Sequence, residues 1–319
     1  MSKEKIANRQ LWFILFMMRS TIILAFLPIL TSANALQDAW VSALLTLIGS
    51  EIIVLLISLL STKFPELTVT QYSKKLLGSF LGNLLNLVYL WLFLQLAVIE
   101  LRLYGEVIVT SFLSQTPLIF ISGTMVIASV ICIYDGIETL GRMADFLFWV
   151  FIIMVIAVIL IPISKLDIKN IQPILVRGWE PVIQGALTPI VLIVQSWVLG
   201  MLTPNLTSPE KVIQTALTSI GISLSILVIL GFIITGVLGP HEAARATFPV
   251  LSLIRSVQVS RFLLRTEVFV IFAWGFGLFI SVSTYLYCGA KGIATWLNLE
   301  DYRPLVFPMG VIWIFLSVH

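Results

Sequence analysis

The sequence predicts an all-α membrane protein, a bundle of about nine spanning helices. Three observations predict it. Hydrophobic residues make up 59% of the 319 residues and charged residues 11%, where a soluble domain carries about 25% charged. Mean hydropathy is +1.06, so no soluble packing hides the apolar surface, whereas a bilayer accepts it as solvent. Aromatic residues are abundant (20 Phe, 9 Trp, 7 Tyr), as suits side chains at lipid and headgroup level.

A span needs about 20 mostly apolar residues. The candidate runs, in order, are Leu11–Ile29, Trp40–Leu60, Leu84–Phe112, Leu118–Tyr134, Phe146–Ile163, Val182–Leu202, Val212–Leu238, Glu267–Trp296 and Leu305–Val318. They are too long and too continuously apolar for barrel strands, and backbone groups in hydrocarbon must be satisfied internally, so they read as helices. The third and eighth runs exceed the hydrocarbon thickness and should tilt or protrude. Between runs seven and eight, residues 239–265 place His241, Arg245, Arg255, Arg261 and Arg265 around an apolar stretch, Phe248–Ile254. This reads as a short amphipathic helix or helical hairpin lying on the membrane face. The last run stops at His319 with no polar tail, so a C-terminal piece is expected to be missing. The whole of 1–319 reads as a single transmembrane domain.

Several function classes are excluded by composition. A net charge of +3 is too weak to point to nucleic acid. Cys132 and Cys288 lie in apolar runs and read as packing residues. With only His241 and His319 besides, no metal site is expected. No Gly-rich phosphate loop and no Ser-His-Asp arrangement is present, so no cofactor and no catalytic set is expected. Lys3, Lys5 and Arg9 precede the first run, but no small-residue cleavage site follows it; the run reads as a retained first span.

Loop charges set orientation. With the N-terminus inside, ten Lys and Arg residues fall on inner segments and seven on outer ones, the remaining two, Arg19 and Arg102, lying within spans. The loops Thr31–Ala39 and Ser114–Pro117 carry none. The expectation is an N-terminus inside.

Charge within a span costs about 2.5–3.5 kcal/mol on insertion scales, so each case needs a reason. Arg19 lies deep in run one, followed by Ser20 and Thr21, a polar step that could loosen the helix. It reads either as a binding group for an anionic moiety such as an amino-acid carboxylate, or as an internal ion pair with Glu51 of run two or Glu100 of run three. In run three, Asn86, Tyr89, Phe93, Glu100 and Tyr104 recur at helical spacing and share a face, while Arg102 projects from another. That face either lines a polar pathway or joins helices through hydrogen bonds. Glu106 lies nearer the end of the run.

Pro28 ends run one early, and run six holds Gly185, Pro189, Gln195, Ser196 and Gly200 before Pro204. Two interrupted spans, one opening each half of a chain, point to an inverted-repeat transporter fold with a midplane binding site. The plain alternative is that Pro and Gly are common in membrane helices.

Several segments together resemble the B-subunit family of bacterial-spore nutrient germinant receptors (GerAB-type), within the amino acid/polyamine/organocation transporter superfamily. They are "IANRQLWFILF" near the start, "LQDAW" at Leu36–Trp40 and "FPELTVTQYSKKLLGSFLGNLL" at Phe64–Leu85. "IELRLYGEVI" follows with "FLSQTP", then "YDGIETLGRMADF" at Tyr134–Phe146 and "FPVLSLIRSVQVSRFLLRTEVFV" at Phe248–Val270. Their order and spacing along nearly the whole chain carry the resemblance.

The resemblance implies a LeuT-like fold of ten spans in two inverted five-helix repeats. The first repeat would cover about 8–165 and the second, incomplete, about 178–319, with the tenth helix missing. Ligand would lie between helices one, three, six and eight, contacted by Arg19, Ser20, Thr21, Phe93, Glu100, Gln195 and Ser196. Glu100, Arg102 and Glu106 match the family's acidic-basic-acidic pattern, and Arg142 its basic residue in the loop after helix four. Glu51, Arg102, Glu106 and Arg142 are expected in structural ion pairs. Two departures stand out. Arg19-Ser20-Thr21-Ile22-Ile23 replaces the glycines often found at the helix-one break, and Gln195-Ser196 replaces a Glu near a Gly in helix six. The implied function is sensing of a small nutrient, an amino acid above all, in the spore inner membrane, to trigger germination. The implied partners are a lipoprotein subunit and a subunit with a large soluble domain. The alternatives are a proton-coupled amino-acid transporter and a truncated, inactive paralogue.

Overall fold

The computed structural model describes residues 4–257 and 266–319. Lys3, Arg261 and Arg265, used above for orientation and for the amphipathic segment, lie outside the described residues.

Each apolar run carries helix. The first is divided into α1 (Asn8–Ala25) and α2 (Leu27–Ala35) by Phe26, whose backbone (φ −147°, ψ −7°) leaves the helical region. The cause is Pro28. It has no N–H to give a preceding carbonyl, and its ring crowds the turn before it, so the helix restarts with Pro28 in its first turn, where proline fits. The polar step Arg19-Ser20-Thr21 does not loosen the chain. It is regular helix, with the Thr21 hydroxyl donating to Met17 O at 2.7 Å, and the break falls after it.

Helix α3 (Ala39–Lys63) is followed by α4 (Val69–Ser111), which turns sharply at Gly78 (φ +77°, ψ 176°). That conformation is open to glycine and strained for other residues. It folds the short first segment back against the long one, where Asn86 Nδ2 donates to Thr70 O at 2.9 Å. Next come α5 (Leu118–Tyr134) and α6 (Ile137–Leu160), then 3₁₀ turns at 161–165 and 168–171. The second half opens on another divided helix: α7 (Glu180–Val191), a tightly wound 3₁₀ stretch at 192–198, and α8 (Leu199–Leu202). The chain continues as α9 (Val212–Leu238), α10 (Pro240–Arg245), α11 (Pro249–Ser256), α12 (Glu267–Leu297) and α13 (Arg303–Val318). Among the described residues, six helical segments are long and apolar enough to cross a bilayer, and α5 and α13 are shorter apolar helices.

At the centre runs α12, packed against α1, α4, α5 and α6, while α9 packs along α1 and α3, and α7 along α2 and α3. Large apolar side chains face outward: Phe80 is 81% exposed, Phe146 70% and Trp149 63%. At about 25 cal/mol per Å² such a surface belongs in hydrocarbon.

Residues 240–256 form two short helices, as the hairpin reading expects, but the apolar face of the second packs on protein. Val250, Leu251, Leu253 and Ile254 of α11 are buried against α1, α2, α9 and α12. Protein takes the apolar face because the helices fold over the end of the bundle, where Arg255 pairs with Glu267 at 2.5 Å.

Candidate functional site

The two divided helices meet at Arg19. Pro189 inside α7 and the change to 3₁₀ winding at Leu192 interrupt the regular helix at this point. The Arg19 side chain, 2% exposed, fills that position: it donates through Nη2 to Pro189 O at 3.3 Å and through Nη1 to Leu192 O at 3.4 Å. A cation at the negative end of a helix is favourable. No carboxylate of the described residues lies within ion-pair distance of Arg19, so the pairing with Glu51 or Glu100 does not form. The guanidinium is balanced by carbonyl dipoles alone, and its Nε has no hydrogen-bond partner.

Gln195, on the 3₁₀ stretch, reaches back to α1 and donates to Met18 O at 3.2 Å. Leu15, Met18, Arg19, Gln195, Ser196 and Ile220 enclose a cavity of about 10 Å³, room for one water at most. The structure therefore brings Arg19, Gln195 and Ser196 together between helices α1, α9 and the α7–α8 break, with no room for a ligand between them.

The other expected contacts lie elsewhere. Ser20 is fully buried with an unpartnered hydroxyl, and Thr21 faces Gly277 of α12. Phe93 and Glu100 form a second cluster with α12: the Phe93 and Tyr285 rings are 6.5 Å apart, and the Tyr285 hydroxyl donates to Glu100 Oε1 at 3.1 Å. Glu100 is 5% exposed and its Oε2 has no partner. The α4 face carrying these residues is inward along its length. Asn86, Tyr89, Phe93 and Glu100 are buried, and Tyr89 meets Trp197 of the 3₁₀ stretch at 4.7 Å between ring centroids. Sequence reasoning missed Tyr285 and Ile220. A tyrosine in mid-span, far from the headgroup level where tyrosines gather, is the signal that could have found the first; an isoleucine in an apolar helix offers none.

Of the expected ion pairs, Arg102 and Glu106 meet at 2.5 Å one turn apart on α4, with both side chains partly exposed. Arg102 also donates to Ser317 O and Val318 O. Arg142 sits within α6 rather than in a loop, because Gly136 already caps that helix, and it lies 3.6 Å from Glu138. Glu51 has no cation within ion-pair distance among the described residues, since the neighbouring α9 offers it only Gly221.

Comparison with known proteins decides the family. Residues 5–319 match the spore permease family, described as spore germination protein. The chain belongs to this family. Its relatives include spore germination protein KB of Bacillus subtilis (strain 168), 29% identical over 100% of this chain and 86% of the relative. Spore germination protein YndE of the same organism is 25% identical over 88% of this chain and 77% of its own length. Spore germination protein A2 is 23% identical, over 90% and 79%. Among solved structures, MhsT in complex with L-phenylalanine superposes with a TM-score of 0.75 at 13% identity, over 99% of this chain and 80% of that one. This likeness establishes a LeuT-like transporter fold for the spore permease family member. The family and the LeuT-like fold class implied by the resemblance are borne out.

Proposed function

We propose that this spore permease family member is the nutrient-sensing membrane subunit of a germinant receptor, with its ligand held where α1 and the α7–α8 break meet. One observation carries the reading: a fully buried guanidinium at a broken helix, flanked by Gln195 and Ser196 and balanced by no carboxylate of the described residues. An amino-acid carboxylate is the natural counter-ion. Taking up a bidentate pair with Arg19 would exchange its long contacts to Pro189 and Leu192 for a stronger bond. A cavity of about 10 Å³ then means that α1 and the 3₁₀ stretch separate to admit ligand. The ligand shifts that equilibrium by its differential affinity for the two packings. Ser20, Thr21, Phe93 and Glu100 would line the opened site.

The reading also takes residues 8–165 and 178–319 as the two inverted repeats, the N-terminus as inside, and the spore inner membrane as the location. The shift in packing would pass to a lipoprotein subunit and to a subunit with a large soluble domain. That MhsT was solved with L-phenylalanine supports an amino acid as the ligand class.

The test is a ligand screen by thermal unfolding of the purified protein. A ligand that binds only the native state raises the melting temperature, by an amount that grows with concentration. The reading expects an amino acid to do so in the wild type and not in Arg19→Gln. A second reading, proton-coupled amino-acid transport, is favoured by the buried Glu100–Tyr285 pair. Saturable accumulation of labelled amino acid in reconstituted vesicles, driven by a pH gradient, would select it.

A further inference from the structure

Glu51 stands at the midpoint of α3, twelve residues from either end, about 18 Å of helix each way. Its Oε1 is buried without a hydrogen-bond partner, and no cation of the described residues lies within 4.0 Å of the carboxyl. The group rests against Gly221 of α9, where an added Cβ would lie 3.0 Å from that oxygen. The two helices run antiparallel here, since Gly231 of α9 meets Trp40 at the other end of the seam. The surroundings face outward. Ile48 and Ile52 are 56% and 57% exposed, and on α9 Thr218, Ile222 and Ser225 are exposed too. The two nearby hydroxyls do not serve Glu51: Thr218 donates to Gln214 O at 2.7 Å and Ser225 to Gly221 O at 2.9 Å. A carboxyl is thus aimed along a seam whose rim is hydrocarbon-facing, at the depth where hydrocarbon supplies no donor.

We propose that the outer seam of α3 and α9 is the docking face for a transmembrane helix of a different protein, one that carries a Lys or Arg near its own midpoint to pair with Glu51. Charge complementarity selects this occupant. Lipid tails offer no hydrogen bond. A second copy placed symmetrically would set Glu51 against Glu51. It also has no free mid-span cation to offer among the described residues: Arg19 is buried, and Arg102 is bound to Glu106, Ser317 and Val318. Shape agrees with charge. Thr218, Gly221 and Ser225 give α9 a shallow flank, and small residues let membrane helices approach closely. Gly221 is the neighbour of Ile220, which lines the Arg19 cavity on the inner side of α9, but the inference uses the outer flank alone and stands independently of the nutrient reading.

The test needs no nutrient. The full chain, labelled with a donor fluorophore, is reconstituted in phosphatidylcholine vesicles with acceptor-labelled synthetic helices of Leu and Ala. One helix has a single central Lys, and a control has Leu there. Wild type should bind the Lys helix about tenfold more tightly than the control, and in Glu51→Leu this preference should disappear. Ser225→Trp, which crowds the seam from the exposed side and leaves the core alone, should weaken binding of the Lys helix. Equal binding of the two helices by wild type overturns the proposal, as does a Lys preference that survives in Glu51→Leu. Glu51-dependent self-association that excludes the Lys helix also overturns it, in favour of a second copy. Loss of the preference in Glu51→Leu counts as support when Ser225→Trp, with an unchanged melting temperature, weakens binding as well.

Discussion

At the scale of single residues, the buried polar groups each admit a sharp expectation. Arg19→Ala leaves the carbonyls of Pro189 and Leu192 without their donor, which costs about 1–3 kcal/mol per unsatisfied buried group. Arg19→Gln keeps an uncharged donor and should keep more of the stability. If Arg19 binds ligand, both variants lose the ligand-induced rise in melting temperature. If it only joins α1 to α7, Gln restores stability and the ligand response together. Tyr285→Phe removes a hydrogen bond that buried Glu100 accepts, and thermal unfolding in detergent should register a loss of about 1–3 kcal/mol. Arg19 was legible in the sequence because a mid-span charge demands a reason. Its partners were not, because they are main-chain carbonyls at a helix break some 170 positions away. Gln195 and Ser196 were legible only through the Pro and Gly around them. Glu51 was legible as costly, yet the residue it meets, Gly221, carries no sign of it.

At the scale of elements, helix continuity carries the argument. The run pattern located the helices well because hydrocarbon enforces continuous apolar segments, and it also located both divided helices through Pro28 and Pro189. The point of division in the first was misplaced toward Arg19-Ser20-Thr21. The hydroxyl of Thr21 bonds within its own helix, and a satisfied hydroxyl does not open a turn. Pro28→Ala removes the crowding that stops α1 and should allow continuous helix through Phe26. The expected outcome is unchanged or raised thermal stability with a diminished ligand response, since the junction that would open becomes stiffer. Gly78→Ala makes a clean contrast. A Cβ there meets nothing within 4 Å, so the only penalty is the positive φ. The variant should fold and lose about 1 kcal/mol in thermal unfolding, with ligand response intact.

At the scale of the whole molecule, the first residues tie the two halves together. Ile6 pairs by backbone hydrogen bonds with Asn205 and Thr207, in the segment after α8. Glu4 grips three places at once: its Oε1 accepts from Arg303 at the start of α13 at 2.7 Å, its Oε2 from the Ile137 amide at the start of α6 at 3.1 Å, and its carbonyl from Asn205 Nδ2 at 2.9 Å. Helices α6, α8 and α13 cannot move apart at this end while those bonds hold. None of this was legible in the sequence, because Glu4 resembles any charged residue ahead of a first span. Any rearrangement that separates the halves at this end must first release the strap. Glu4→Gln keeps the size and some hydrogen bonding but removes the charge that Arg303 meets. A partly exposed pair of this kind contributes about 1 kcal/mol or less. Amide exchange at residues 5–7 should therefore rise up to about fivefold, while exchange in the core of α12, which reports global opening, stays as it was. Equal acceleration at both places would mean that Glu4 supports the fold as a whole, and that the strap is no separate unit that can be released alone.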